Sequence, residues 1–276
     1  GATAPARQVA DLLSSADLTH VSNEIPFAPN CQPQAETMTF CARPEYLETL
    51  RLVGADVVEL TGNHNLDFGA RYALFSLDLY DEAGMGTFGG GRNAIDARRP
   101  FTITHNGNRL AFLGYNQFGP EYAWATEEKP GAARFSPQIL QADLAQARAQ
   151  ADLLFVNIQH TESYSPVPLP RQMADFRAAI EAGADAVTGS QAHQPQAIEF
   201  HGGKPIFYGL GNLFFDQTWS AATCQGLVVR HVIYDGRLIA SQVIPTVMGD
   251  DCQPRLAEGE ERMAILEMVF EASGWE

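Results

Sequence analysis

Apolar positions along the chain alternate between helical spacing and short continuous runs. Residues 5–15 place Val9, Leu12 and Leu13 on one face, which predicts a helix. Ala16-Asp17 then opens a short strand, Leu18 to Ser22, that runs into Asn23-Glu24. Pro26, Pro29 and Pro33 mark 25–42 as an irregular loop. Pro44 suits the first turn of a helix whose Tyr46, Leu50 and Val53 follow i, i+4, i+7 spacing, with Gly54 as its stop. A β-branched strand from Asp56 to Thr61 follows, and it ends in the polar cluster Asn63, His64, Asn65 and Asp67, flanked by Gly62 and Gly69.

Beyond this cluster, Ala70 to Ala83 reads as a helix with Ala73, Leu77 and Tyr80 inward and Gly84 as its stop. Gly89-Gly90-Gly91 lacks the G-x-G-x-x-G spacing of a phosphate cradle and reads as a flexible turn. Phe101–His105 and Arg109–Gly114 flank Asn106-Gly107-Asn108 as a hairpin. Residues 115–135 form an aromatic-rich loop, either a lid or substrate wall or a loop packed on the core. Ser136 can cap a helix through Gln150, and strand Leu153–Ile158 delivers Gln159-His160. A helix bearing Met173, Phe176 and Ile180 leads to strand Ala186–Thr188 and then Gly189-Ser190-Gln191-Ala192-His193. From Ile198 onward the pattern is antiparallel, with strands Leu227–Tyr234 and Leu238–Val247, and a helix from about Gly259 to Ala272 closes the chain.

Four times a helix gives way to Ala-Asp and a short apolar strand: Ala16-Asp17, Ala55-Asp56, Ala151-Asp152 and Ala184-Asp185. This is the signature of parallel βα units, an α/β fold. The four strands end in Glu24, Asn63, His160 and His193, and open α/β sheets gather ligands at the carboxyl ends of their strands. Carboxylate, amide oxygen and imidazole together suit a divalent ion such as Mn, Fe or Zn, which can polarise a phosphoryl or acyl oxygen. His64 stands beside Asn63 as a candidate general acid, and Asp67 either orients it or caps the following helix. No G-x-S-x-G elbow is present, and Ser190 lacks its glycine frame.

Composition narrows the function classes. A net charge of −15, from 33 acidic and 18 basic residues, repels nucleic acid and anionic membrane. No apolar run reaches the length of a membrane span, and a length of 276 residues suits one large α/β domain or two small ones; a single domain, 1–276, is the expectation. Cys31, Cys41, Cys224 and Cys252 fall into two local pairs without a Cys-x-x-Cys. Two disulfides would mark an exported or cell-surface protein, and four buried thiols a cytoplasmic one; export is the expectation.

Ala-Asp-Leu-Thr-His-Val-Ser-Asn-Glu (16–24), Gly-Asn-His-Asn-Leu-Asp-Phe-Gly (62–69), the strand reaching His160, Gly-Ala-Asp-Ala-Val-Thr-Gly-Ser-Gln-Ala-His-Gln-Pro-Gln (183–196) and Lys-Pro-Ile-Phe-Tyr-Gly-Leu-Gly-Asn-Leu-Phe-Phe-Asp-Gln (204–217) stand in this order. The set resembles the bacterial capsule-synthesis (CapA-like, poly-γ-glutamate biosynthesis) family, a branch of the calcineurin-like metallophosphoesterases. The resemblance implies a four-layer α/β/β/α sandwich of metallophosphatase type and a metal-dependent phosphoesterase-like hydrolase. The substrate would be small and anionic or polymeric, a phosphoester or a poly-γ-glutamate. Carried over, Glu24 or neighbouring Asn23 would bridge two metals, Asn63 and His160 would hold the second, His193 the first, and His64 would be the acid. Gln191 and Asn212 are additional candidates. Three positions depart from the pattern: the opening strand with its Gly-Asp motif has no counterpart before Asp17, Gln191 replaces the first His of a His-x-His, and His160-Thr161-Glu162 replaces His-Trp-Gly. These departures leave room for two, one or no bound ions. The alternative is a catalytically degenerate member that binds polymer or scaffolds a cell-surface assembly.

Overall fold

The computed structural model describes residues 1–32, 37–249 and 251–275; loop residue Pro33 lies outside them. Strands β1 (Thr19–Ser22), β2 (Ala55–Glu59) and β3 (Gly86–Phe88) form a parallel three-stranded sheet. Helices α1 (Ala10–Ser14), α2 (Leu47–Leu52) and α3 (Ala70–Ala83) cover its outer face around Leu13, Leu50, Leu77 and Tyr80. The expected first helix is broken into a 3-10 turn, Ala4–Ala6, and the short α1, and no strand precedes β1 among the described residues.

The glycine run is not a flexible turn. Gly90–Gly91 form β4, followed by α4 (Ala94–Arg98), whose N-terminus Asn93 caps by accepting from the Ile95 and Asp96 amides. A Cβ on Gly90 would lie 2.6 Å from the Leu60 carbonyl oxygen, and one on Gly91 2.5 Å from the Ala97 nitrogen, so only glycine fits this junction.

The second sheet has six strands. β5 (Phe101–His105) and β6 (Asn108–Asn116) are the expected hairpin. After β7 (Gly131–Ala132), which pairs with β4, come α5 (Pro137–Arg148), β8 (Leu153–Ser163), α6 (Pro170–Glu181), β9 (Ala186–Ala192), β10 (Ile198–His201) and β11 (Lys204–Phe207). The strand order is β10-β11-β9-β8-β6-β5, with β6, β8, β9 and β11 parallel. Helix α5 starts where expected, Ser136 Oγ accepting from the Ile139 amide at 3.1 Å. The chain closes with β12 (Gln225–Tyr234), β13 (Arg237–Met248), β14 (Pro254–Leu256) and α7 (Gly259–Ala272).

The recurring Ala-Asp has a structural meaning. At three of its four positions the aspartate accepts from a backbone amide at the first or second residue of the neighbouring strand: Asp56 from Thr19, Asp152 from Arg109, Asp185 from Leu154. A strand's first N–H otherwise lacks a ladder partner.

The four layers follow from side-chain alternation. On β8, Leu154, Val156 and Ile158 face α5 and α6, where they meet Leu140, Leu144 and Phe176. Leu153 and Phe155 face the other sheet, where they join Val57 and Phe88 together with Phe112 of neighbouring β6. Helix, sheet, sheet and helix thus stack as the α/β/β/α sandwich the resemblance implies. Phe112 stacks on Phe155 at 5.3 Å and tilts against Phe88 at 5.8 Å, so it fills the gap between sheets. Phe112→Ala should cost about 3–5 kcal/mol, measured as a lowered urea midpoint, whereas Ile95→Ala should change almost nothing, Ile95 being 83% exposed.

Candidate functional site

The carboxyl ends of β1, β2, β6, β8 and β9 converge on one buried amide, that of Gln159. Its Nε2 donates toward Glu24 Oε1 (2.5 Å), Asn63 Oδ1 (2.8 Å) and Gln191 Oε1 (2.5 Å). Alternation on β8 explains the choice of residue: Leu153, Phe155, Asn157 and Gln159 point between the sheets, while His160 points toward the helices. His160 Nε2 pairs there with Asp175 of α6 at 3.0 Å, its Nδ1 lies 3.2 Å from Thr161 Oγ1, and its ring meets Phe176 edge-on. Burial pulls its pKa down despite Asp175. The structure therefore does not bring His160 to the cluster. β8 runs five residues past its expected end at Ile158, so His160 is an interior strand position.

Gln191 reaches the cluster by breaking its strand's alternation. Ser190 already faces inward toward Glu59, and the positive φ of Gln191 (79°) turns the next side chain the same way. Gly62 makes room on the other wall, since a Cβ there would lie 2.6 Å from the Glu24 Cα. Of the neighbouring pair at the end of β1, Glu24 enters the cluster, while Asn23 donates to Ile25 O and Tyr80 Oη.

The direction of the Gln159 amide is set from outside the cluster. Asn116 Oδ1 accepts from the Gly119 amide and from Trp124 Nε1, both at 2.8 Å. Its Nδ2 must then donate, and does so to Thr61 O (2.8 Å) and Gln159 Oε1 (2.9 Å). With its oxygen so engaged, Gln159 turns its NH2 toward the three acceptors. The aromatic loop after β6 thus acts through Trp124 as a brace.

Below this hub lies a second polar layer that sequence reasoning missed. Glu59, at the end of β2, is buried between the sheets and accepts from Asn157 Nδ2 (3.1 Å), from Ser190 Oγ (3.5 Å) and from Thr61 Oγ1. Its position at a strand end, in line with Glu24, was the available signal.

His64 and Asp67 form the expected pair, with Nδ1 2.7 Å from Asp67 Oδ2. Asp67 is not a helix cap: α3 is capped by Gly69 without a side chain, and Asp67 Oδ2 also accepts from the Phe40 amide at 2.8 Å. Phe40 sits next to Cys41, whose disulfide to Cys31 (Cα–Cα 5.8 Å) closes the loop that lays Phe40 edge-on against His64. No disulfide joins Cys224 to Cys252 in this structure. His193 Nδ1 lies 3.0 Å from Asn212 Oδ1, and Asn212 Nδ2 donates to Gln217 Oε1 and Thr223 O. Asn212 thus orients His193, whose Nε2 points toward Glu162 at 3.8 Å.

A divalent ion does not fit the Glu24, Asn63 and Gln191 oxygens as they stand. The Gln159 NH2 fills the position between them, and a nitrogen carrying two protons has no lone pair for a metal. No group of three or more His, Cys, Asp or Glu side chains is arranged to hold an ion among the described residues.

The electrostatics follow. Burial raises the Glu24 carboxyl to about 7, against the lowering effect of His64 and of the Gln159 hydrogen bond. Burial pulls the His64 imidazole down, but the hydrogen bond and charge of Asp67, with Glu24 and Glu162, outweigh it and hold its pKa above the usual histidine value. Both groups thus hold their protons to a higher pH than they would in water.

A carboxyl with a raised folded pKa binds its proton more tightly in the folded state, so its stabilising effect fades as pH rises from about 4.5 through about 7. His160 and His231, both pushed down by burial, act in the opposite sense, so a variant must isolate Glu24. Glu24→Gln should therefore gain in Tm relative to the wild type as pH rises from about 5 to about 8, measured by thermal melts in chelator-containing buffer.

Residues 1–217 match the model of the family described as bacterial capsule synthesis protein PGA_cap. The chain is 31% identical over 245 residues to the capsule biosynthesis protein CapA of Bacillus anthracis, which covers 86% of this chain and 60% of that protein. It is 26% identical over 215 residues to the PGA biosynthesis protein CapA of Bacillus subtilis (strain 168), covering 78% and 57%. The chain thus spans somewhat more than half the length of these relatives. A hypothetical protein from Thermus thermophilus superimposes with a TM-score of 0.54 at 17% identity, covering 88% of this chain and 93% of that one, which is a likeness of fold.

Proposed function

Because the chain belongs to the bacterial capsule synthesis protein family, we propose that it is a polymer-binding component of capsule assembly whose strand-end site works without a divalent ion. The observation that carries this reading is the Gln159 amide, held by Asn116 with its NH2 among the oxygens that would otherwise surround a cation. His64 and Asp67 then serve to bind and orient a ligand, with the His64 imidazole as the local positive charge. Such a charge answers the need of an anionic group in a chain of net charge −15. The Cys31–Cys41 disulfide supports an exported or cell-surface location, since such bonds persist in oxidising compartments. No described helix is long and apolar enough to cross a membrane. The apolar core shared between the three-stranded and six-stranded sheets supports reading 1–276 as a single domain.

A second reading, a metal-dependent phosphoesterase-like hydrolase, draws on the His64–Asp67 pair. An imidazole held by a carboxylate can protonate a leaving group, and Glu24, Asn63 and His193 would be candidate ligands. For this reading Gln159 would have to swing away from all three acceptors.

Elemental analysis after incubation with Mn, Fe or Zn and dialysis should find well below one ion per chain. Two stoichiometric ions would return the hydrolase reading to first place. Gln159→His removes the donating NH2 and supplies a lone pair, so it should raise metal uptake above the wild type. An unchanged uptake in a folded variant, checked by circular dichroism, would count against the role given to Gln159.

A further inference from the structure

Three carboxyl groups reach the His64 imidazole with their charge: Asp67, Glu24 and Glu162. Two of them have other duties. Asp67 Oδ2 lies 2.7 Å from His64 Nδ1 and accepts from the Phe40 amide, and Glu24 is held at the Gln159 hub. Glu162 differs. It stands near the end of β8 with its side chain 38% exposed, and among the described residues no arginine or lysine pairs with it.

What holds Glu162 is a pair of side chains at the mouth of the site. Tyr164 Oη donates to its Oε1 at 2.7 Å, and His193 Nε2 lies 3.8 Å from the same oxygen. The Tyr164 ring stacks on His193 at 5.2 Å with 26° between planes, so the three side chains support one another. His193 is fixed in turn by Asn212, whose Oδ1 lies 3.0 Å from Nδ1, and Nε2 is the ring atom turned toward Glu162. A carboxylate of the chain's own thus sits where this end of the site offers its donors.

An anionic ligand drawn toward His64 has to contend with that carboxylate. A tyrosine hydroxyl carries one proton to donate, so Tyr164 serves Glu162 or a ligand carboxylate but not both. Two carboxylates side by side also repel each other. Glu162 can leave cheaply, because its side chain is partly exposed and held by one hydrogen bond, and rotation to another staggered position suffices.

We infer that Glu162 is a stand-in for a ligand carboxylate: a carboxylate-bearing polymer displaces it and takes over Tyr164 Oη and His193 Nε2. This deepens the polymer-binding reading and rests on it. The exchange selects for charge, since only another carboxylate restores what the two holding groups lose.

The test is calorimetry in chelator-containing buffer with a decamer of γ-linked glutamate, and with the same decamer after amidation of its free carboxyls. Glu162→Gln keeps an oxygen for Tyr164 Oη and removes the charge. It should bind the glutamate decamer about fivefold tighter than wild type at low salt, with an unchanged Tm, and the gain should shrink as salt is raised. The amidated decamer should show no such gain. Tyr164→Phe should weaken binding of the glutamate decamer in both the wild-type and the Glu162→Gln backgrounds. Equal or weaker binding by Glu162→Gln overturns the inference and leaves the polymer-binding reading standing. An equal gain with the amidated decamer overturns it as well, because charge would then not be what is exchanged. Binding of the decamer by neither protein overturns both. Stoichiometric metal uptake would sink the metal-free reading alone, and a tighter Glu162→Gln complex would still support the exchange.

Discussion

The orientation of one buried side-chain amide governs the strand-end site. Asn116 accepts two N–H groups on its oxygen, so its nitrogen must donate to Gln159, and Gln159 must turn its own NH2 toward Glu24, Asn63 and Gln191. An unsatisfied amide buried between sheets costs about 1–3 kcal/mol, so each link in this chain holds the next. Donation from Gln159 favours a charged Glu24, but burial outweighs it and raises the carboxyl to about 7. The loop carrying Trp124, far from Glu24 in sequence, thereby takes part in the protonation of the site.

That network exists because two sheets pack face to face. The inner faces of β2, β6, β8 and β9 carry apolar residues at one level, Val57, Phe112 and Phe155 among them, and polar ones nearer the strand ends, Glu59, Asn157, Asn116 and Gln159. The apolar level supplies the hydrophobic stabilisation. The polar level is satisfied mostly within itself, as a buried network has to be. The interior at the strand ends is thus closed by its own hydrogen bonds.

Much of the architecture was legible in the chain. The helix Ala70–Ala83, the closing helix Gly259–Ala272, the hairpin at Asn106-Gly107 and the parallel βα units all appear, because each is marked by local punctuation that acts within a few residues. The site was legible in part. Glu24 and Asn63 meet, His64 pairs with Asp67, and Asn212 supports His193. His160 does not join them, and the glycine run is a packed junction.

The sequence by itself determined which strands form and that polar residues gather at their ends, since hydrophobic period and turn chemistry are local properties. Only the tertiary structure decided which face each polar residue takes. A strand prediction that stops at Ile158, five residues short, cannot say whether Gln159 or His160 points between the sheets, and a shift of one residue exchanges a hub for a helix contact. The inversion at Gln191 and the orientation handed from Trp124 to Gln159 likewise depend on neighbours brought together by folding.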